Sequence, residues 1–180
     1  LSSANSINIG RLVPQVGYYL LAASKVGTTF DVVVPSGNFG NILAAYYAKM
    51  MGVPIGKLIC ASNINKVLTD FIRTGIYDRN RDFYATTSPS MDILISSNLE
   101  RLLYLLSGEN DAQIREWFGA LAAEGKYEVS DDIKAAMSEL FYGGYCDDAA
   151  TKETISSIYK TYGYTCDTHT AVAVKVYQDY

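Results

Sequence analysis

A short apolar strand that leads through a glycine-containing turn into a helix is the feature that most constrains the fold of this chain. Residues 30–34 form a β-branched run that ends at Pro35. Residues 42–51 are rich in helix formers and are followed by Gly52. A nearly continuous apolar strand of this kind is typical of a sheet that is buried on both faces. The unit therefore predicts an α/β fold.

The same order of elements is repeated farther along the chain. Residues 57–61 predict a second strand, and residues 65–72 predict a second helix. Two strand–helix units in series favour parallel strands, because each helix carries the chain back to the start of the next strand. The predicted architecture is a partial doubly wound parallel sheet with helices on both faces.

Helical patterns dominate the rest of the chain. The first helix is predicted over residues 10–26, and the spacing of Ser97 and Glu100 corresponds to a capping box for a helix that ends at Gly108. Four more helices are predicted at residues 112–123, from Ser130, from Asp147 or Asp148 to Tyr162, and from Thr168 onward. The second half of the chain is therefore predicted to be mostly helical.

Composition restricts the classes of function. With 180 residues and 49% hydrophobic content, the chain is expected to form a single globular unit over residues 1–180. Its net charge of -4 and pI near 4.9 provide no general basic face, which disfavours nucleic acid and anionic membrane as partners. No apolar run reaches the roughly 20 residues that span a bilayer, so a soluble protein is expected.

Cysteine and histidine usage disfavours most metal and disulfide chemistry. Cys60, Cys146 and Cys166 are odd in number and widely spaced, which suits neither a disulfide framework nor a zinc site and indicates a reducing, cytoplasmic setting. His169 is the only histidine, so a multi-histidine metal site is excluded and no metal site is predicted. The chain begins Leu-Ser-Ser-Ala with neither Met nor a leader pattern, and we interpret it as an internal segment.

The turn between the first strand and its helix has the composition of an anion site. Its sequence is Ser36-Gly37-Asn38-Phe39-Gly40-Asn41. A strand-to-helix turn collects backbone N–H groups at the positive end of the helix dipole. Gly37 and Gly40 leave room for a ligand, and Asn38 and Asn41 add side-chain donors. The turn lacks the Walker A and Gly-x-Gly-x-x-Gly patterns, which disfavours ATP and NAD.

A second set of donors precedes the first helix. The sequence there is Asn5-Ser6-Ile7-Asn8-Ile9-Gly10-Arg11. Its amide, hydroxyl and guanidinium groups suit a second phosphate or a carboxylate. Each feature alone also has a plainer interpretation: a tight turn that binds nothing, and an ordinary helix N-cap followed by a surface arginine.

In combination, these motifs resemble the threonine synthase family. The similar segments, in family order and spacing, are Ser3-Ala4-Asn5-Ser6-Ile7-Asn8, Arg11 with Pro14-Gln15, Val34-Pro35-Ser36-Gly37-Asn38-Phe39-Gly40-Asn41, Ala61-Ser62-Asn63-Ile64-Asn65, Ser88-Pro89-Ser90-Met91-Asp92 and Asp167-Thr168-His169-Thr170-Ala171-Val172. The resemblance covers essentially the whole chain. It implies the tryptophan synthase β-like fold, fold type II of the pyridoxal 5'-phosphate (PLP) enzymes.

The resemblance also implies a cofactor, a substrate and residues that bind them. The implied reaction is the PLP-dependent conversion of O-phosphohomoserine and water into threonine and phosphate. The residues implied to hold the PLP phosphate are Gly37, Asn38, Phe39, Gly40 and Asn41. Those implied to hold the substrate phosphate are Asn5, Ser6 and Arg11. His169 either borders the active site or caps a helix.

Two parts of the family pattern do not occur in this chain. The Schiff-base lysine of the family lies upstream of the Asn-Ser-Ile-Asn stretch in a Phe-Lys-Asp setting, and no such tripeptide is present. The Ser/Thr-rich segment near the pyridine nitrogen is expected beyond Tyr180. We therefore predict that the chain alone is catalytically inactive.

Two alternatives to this enzyme class remain open. One is a non-catalytic module that binds a phosphorylated small molecule, such as a mononucleotide or a flavin, through the same turn. The other is an interaction or structural domain in which the glycine turn is only a turn. The oligomeric state is not predicted.

Overall fold

The computed structural model describes residues 5–180, so Ser3 and Ala4 of the first family-like segment lie outside the described residues. The elements in chain order are α1 (Ile9–Val26), β1 (Phe30–Pro35), α2 (Gly40–Met50), β2 (Ile55–Ser62), α3 (Val67–Thr74), β3 (Ile76–Asp78), a 3-10 turn (Pro89–Met91), α4 (Leu99–Leu106), α5 (Asp111–Glu124), β4 (Lys126–Glu128), α6 (Asp131–Leu140), β5 (Phe141–Tyr145), α7 (Asp148–Tyr162) and α8 (Thr168–Asp179). None of the helices described is long and apolar enough to cross a membrane.

Three parallel strands form the main sheet in the order β1, β2, β5. Successive side chains of β2 alternate between two cores, with Leu58 on one face and Ile59 on the other. The helices α2 and α3 contribute to the core that contains Leu58. Helix α8 covers the opposite face through Val172 and Val176. The predicted parallel sheet with helices on both faces is confirmed.

Strand β5 is a feature that the sequence did not predict. It has the sequence Phe-Tyr-Gly-Gly-Tyr, which is more typical of a turn. A Cβ on Gly143 would lie 3.0 Å from the Cα of Thr69, and a Cβ on Gly144 would lie 2.5 Å from Cγ1 of Val176. Helices α3 and α8 therefore approach β5 so closely that these positions require glycine. The second half is mostly helical, but it supplies the third strand of the sheet.

A short antiparallel ribbon of β3 and β4 was also not predicted. Each strand has three residues, which is too short for a periodic pattern to appear in the sequence. Tyr77 pairs with Tyr127, and their rings stack with centroids 5.3 Å apart. Burial raises the pKa of Tyr77 to about 12. Its hydroxyl therefore stays protonated and donates to the carbonyl oxygen of Leu94 at 3.1 Å.

The start of α4 differs from the predicted capping box. Asn98 is the N-cap residue, and Ser97 precedes it. The Oγ atom of Ser97 lies 3.5 Å from Oδ1 of Asn38. The predicted reciprocal bonding of Ser97 and Glu100 is therefore wrong, because the segment before α4 contacts the glycine turn of β1 and α2.

Candidate phosphate-binding site

A cleft of about 420 Å³ lies where β1 ends and α2 begins. The carboxyl ends of parallel strands are the usual location of ligand sites in open α/β sheets. Pro35, the last residue of β1, lines the cleft. Seven of the eight residues expected to bind phosphate groups also line it, namely Asn5, Ser6, Arg11, Gly37, Asn38, Gly40 and Asn41. The two predicted donor sets thus lie in one cleft.

Asn41 holds the glycine turn together from within. Its Nδ2 donates to the carbonyl oxygen of Pro35 at 2.9 Å, and its Oδ1 accepts from Oγ of Ser36 at 2.9 Å and from the amide of Ile42 at 3.0 Å. The hydroxyl of Tyr19 donates to the carbonyl oxygen of Asn41 at 2.8 Å. The Asn41 side chain therefore closes the turn, and one of its two amide protons is used there.

Phe39 differs from the other residues of the turn because its side chain lies in the core. The ring is fully buried, and its centroid is 5.6 Å from that of Phe141. Its φ is 62°, in the left-handed region that costs a non-glycine residue about 1 kcal/mol or more. Burial of the ring holds this conformation in place. The side chain of Phe39 therefore does not line the cleft.

Close neighbours leave no room for a side chain at either glycine of the turn. A Cβ on Gly37 would lie 2.7 Å from the carbonyl oxygen of Ser90. A Cβ on Gly40 would lie 2.4 Å from the Cβ of Ser6. Gly40 is also the first residue of α2, whose leading amides have no acceptor within the helix. These amides and the positive end of the helix dipole favour an anion at this place.

The turn before α1 is ordered by its own polar groups. The amide of Asn8 donates to the carbonyl oxygen of Asn5 at 3.0 Å, and the amide of Ile7 donates to Oδ1 of Asn5 at 3.2 Å. Nε2 of Gln15 donates to Oγ of Ser6 at 3.0 Å. Because Oγ of Ser6 accepts this bond, its own proton can be donated to a ligand oxygen.

Residues just before α4 donate hydrogen bonds to carbonyl oxygens of the glycine turn. Oγ of Ser96 donates to the carbonyl oxygen of Gly37 at 2.8 Å. Nδ2 and the amide of Asn98 both donate to the carbonyl oxygen of Asn38, at 2.9 and 3.2 Å. Ser96 and Asn98 are buried polar residues that the sequence analysis did not select. Their polarity inside a predicted helix start was the only available signal.

Arg101 of α4 supports the turn before α1. Its NH1 donates to the carbonyl oxygen of Ser6 at 3.1 Å and to Oδ1 of Asn98 at 2.6 Å, and its NH2 donates to the carbonyl oxygen of Ile7 at 2.6 Å. Its bonds join segments that are far apart in the chain, so no local pattern in the sequence indicated this residue.

A buried polar network holds the 3-10 turn that contributes Ser90 and Met91 to the cleft. Oδ1 of Asp92 accepts from Nδ2 of Asn63 at 2.7 Å, from Nδ2 of Asn65 at 3.0 Å and from Oγ1 of Thr86 at 2.7 Å. Its Oδ2 accepts from the amide of Thr86 at 2.9 Å. The network ties the end of β2 to the turn that packs on Gly37.

His169 lines the cleft, and its bonds define its protonated nitrogen. The amide of Ser90 donates to Nε2 of His169 at 3.3 Å, while Nδ1 lies 3.2 Å from Oδ1 of Asp167. Because an amide can only donate, Nε2 is the acceptor and the proton of a neutral ring lies on Nδ1. The N-cap of α8 is Asp167, so His169 borders the cleft and does not cap the helix.

No lysine of residues 5–180 lines the cleft. Nζ of Lys49 donates to the carbonyl oxygens of Ile55 and Gly56. Nζ of Lys57 donates to the carbonyl oxygens of Ser138 and Glu139. These two amines are therefore engaged away from the cleft.

A parallel sheet flanked by helices is the arrangement of the fold type II class of PLP enzymes, and the fold belongs to this class. No protein-family profile matches the chain. It is 48% identical to threonine synthase-like 1 of Homo sapiens over 96% of its length, and 41% identical to threonine synthase of Saccharomyces cerevisiae over 97%. A crystal structure of PLP-bound threonine synthase from Brucella melitensis superposes with a TM-score of 0.95 over 99% of the chain, at 42% identity.

The chain is therefore a homologue of threonine synthase, and the resemblance drawn from its motifs is confirmed. It spans 24% of the human relative, 37% of the yeast relative and 39% of the Brucella protein. The similarity thus extends over nearly all of this chain and over a minority of each relative.

Proposed function

We propose that this chain forms the phosphate-binding part of a PLP-dependent lyase that converts O-phosphohomoserine and water into threonine and phosphate. The observation that carries the proposal is the close approach of Gly40 to Ser6, which brings the two donor sets into one cleft. A reaction that needs a cofactor phosphate and a substrate phosphate side by side requires two such sets. Homology to threonine synthase supports the same assignment.

The first donor set fits the phosphate of PLP. The residues that would hold it are Gly37, Asn38, Phe39, Gly40 and Asn41, with backbone amides as the principal donors. The two glycines let the turn pack against Ser90 and Ser6, and the start of α2 adds its partial positive charge. When bound, PLP supplies an electron sink for the negative charge that develops on substrate carbons.

The second donor set fits the phosphate of O-phosphohomoserine. The residues that would hold it are Asn5, Ser6 and Arg11, all of which line the cleft. A guanidinium group binds phosphate oxygens through paired hydrogen bonds. Arg11 would stabilise the charge on the phosphate as it leaves, and the hydroxyl of Ser6 would donate a further bond. Rigid placement of both sets orients the substrate between them.

The proposal also covers what the chain alone does. Because no lysine of residues 5–180 lines the cleft, an amine from another part of the protein is needed to hold the cofactor covalently. We expect the chain alone to bind phosphates without forming threonine. Threonine formation by the purified chain with PLP and O-phosphohomoserine would contradict this expectation.

The experiment that tests the proposal is a titration of the chain with PLP by equilibrium dialysis, with the variant Gly40→Asp. The introduced carboxylate would stand against the cofactor phosphate and should weaken PLP binding about tenfold or more. Gly119→Asp is the matched control, because it adds the same charge in α5 where a Cβ meets no neighbour. Equal PLP binding by Gly40→Asp and the unmodified chain would reject the assignment.

The same titration separates the alternative functions. A mononucleotide or flavin module would bind AMP or FMN more tightly than PLP. A structural turn would bind none of the three ligands, and Gly40→Asp would then change only stability.

A further inference from the structure

Asn98 contacts the first donor set of the cleft without lining it. Its Nδ2 and amide donate to the carbonyl oxygen of Asn38, which belongs to the first set. Its Nδ2 would also lie 3.3 Å from a Cβ on Gly40. Its side chain is fully buried, so these bonds are protected from competition with water.

Arg101 extends this connection to the second donor set. Its NH1 bonds both Oδ1 of Asn98 and the carbonyl oxygen of Ser6, and its NH2 bonds the carbonyl oxygen of Ile7. The guanidinium plane fixes the directions of these donors relative to one another. Asn98 is the N-cap residue of α4 and Arg101 lies in the first turn of the same helix, so one element carries both contacts.

We infer that Asn98 and Arg101 are positioning residues that set the separation between the cofactor-phosphate and substrate-phosphate sets. The inference rests on the proposed function, because it assumes that both sets bind phosphate. Neither residue lines the cleft, and both act through the main chain of residues that do. The two residues therefore affect the distance between the two sites. They do not affect the affinity of either site for a single phosphate.

This role makes a distinct prediction for ligands that carry two phosphates. A flexible ligand that reaches both sites gains affinity only when its length fits the distance between them. Loosening that distance should reduce the gain while leaving each single phosphate site intact. A residue that merely attracts anions, or merely supports the fold, would weaken single phosphates as well.

The experiment titrates the chain with inorganic phosphate and with a series of α,ω-alkanediol bisphosphates of increasing length, by isothermal titration calorimetry. For the unmodified chain, one length should bind at least about tenfold more tightly than inorganic phosphate. Arg101→Lys keeps the charge and the alkyl stem but removes the planar fork. Asn98→Ala removes the side-chain bonds to Asn38 and Arg101 and leaves only the backbone amide bonded to Asn38. In both variants the length preference should fall severalfold while inorganic phosphate affinity stays within about twofold.

Arg115→Lys is the matched control, because Arg115 is exposed on α5 and forms an ion pair with Asp111. Unchanged length preference in Arg101→Lys and Asn98→Ala would overturn the inference. A parallel loss of inorganic phosphate and bisphosphate binding would overturn it too, since the residues would then act on site strength. If circular dichroism shows that Asn98→Ala does not fold, the inference is tested with Arg101→Lys alone. Failure of the unmodified chain to bind any phosphate would instead reject the proposed function.

Discussion

Gly40 packs against Ser6 so closely that a Cβ on Gly40 would stand 2.4 Å from the Cβ of Ser6. These residues belong to the two donor sets of the cleft, one at the start of α2 and one before α1. The contact explains why a glycine is needed at a helix position whose φ is ordinary for any residue. It also means that changes at Gly40 act on both sets.

Gly40→Ala should destabilise the chain by about 1–3 kcal/mol, because the added methyl group displaces the main chain at Ser6. Gly17→Ala is the control, since Gly17 lies within α1 and an added Cβ there meets no atom within 4 Å. That variant should be neutral or more stable by about 0.5–1 kcal/mol. Urea unfolding of both variants measures the difference. Identical midpoints would show that Ser6 moves aside without cost.

Arg11→Ala should weaken binding of O-phosphohomoserine about tenfold, because a charge-assisted bond to its phosphate is lost. PLP affinity should change by less than about twofold, since the cofactor phosphate is assigned to the other donor set. Arg115→Ala serves as the control for the loss of one surface charge. Equilibrium dialysis with each ligand provides the comparison. Loss of PLP binding in Arg11→Ala would indicate that the two sites are exchanged.

Asp92→Asn should cost about 1–3 kcal/mol of stability, because the new NH2 group cannot accept the bond that the Thr86 amide donates to Oδ2. The bonds from Asn63, Asn65 and the Thr86 hydroxyl to the remaining oxygen also lose the assistance of the negative charge. Loss of this anchor should also loosen the 3-10 turn that packs on Gly37. Asp111→Asn removes a comparable carboxylate from an exposed ion pair and should cost less than about 1 kcal/mol. Chemical denaturation that finds the two variants equally stable would contradict the role of the network.

The N-cap of α8 should make stability depend on acidic pH. The hydrogen bond from the Thr170 side chain, followed by bonds from the Thr170 and His169 amides and the His169 ring, lowers the pKa of Asp167 from its ordinary value of 3.8, against a smaller opposing effect of burial. The native state therefore binds this proton less readily than the unfolded state does. The contribution is complete above the ordinary pKa and is lost as the pH falls through the lowered pKa of the folded state.

Asp167→Asn provides the measurement of this dependence. The variant keeps an acceptor for the helix amides but cannot ionise. The difference in unfolding free energy between the unmodified chain and the variant should be largest near neutral pH. It should shrink below pH 3.8. A difference that stays constant over the acidic range would show that the carboxylate charge has no part in the cap.

The sequence predicted those parts of the fold that depend on local patterns. The strand β1, the helix α2 and the donor turn between them follow from a β-branched run, helix formers and two glycines in succession. Strand β5 escaped prediction because Gly143 and Gly144 are required by helices that contact the strand from elsewhere in the chain. Its identity as a strand depends on tertiary packing, which a local pattern does not contain.

The sequence also predicted only part of the candidate site. The residues predicted to donate to a ligand have recognisable types in short motifs, and all of these except Phe39 line the cleft. Asn98 and Arg101 were missed because their acceptors are main-chain oxygens of residues much earlier in the chain. Any residue provides such oxygens, so the sequence of the accepting segments carries no sign of the contact.

The buried ring of Phe39 makes the shape of the glycine turn depend on the packing of the core. We expect that a turn anchored in this way does not open separately from the core. The Leu43 amide, which donates to the carbonyl oxygen of Phe39, should therefore exchange with solvent only when the molecule unfolds globally. Substitutions at the far side of that ring, for example at Phe141, would then appear first as a defect in ligand affinity. A loss of binding in such a protein would report on its folding, even though the altered residue never approaches the ligand.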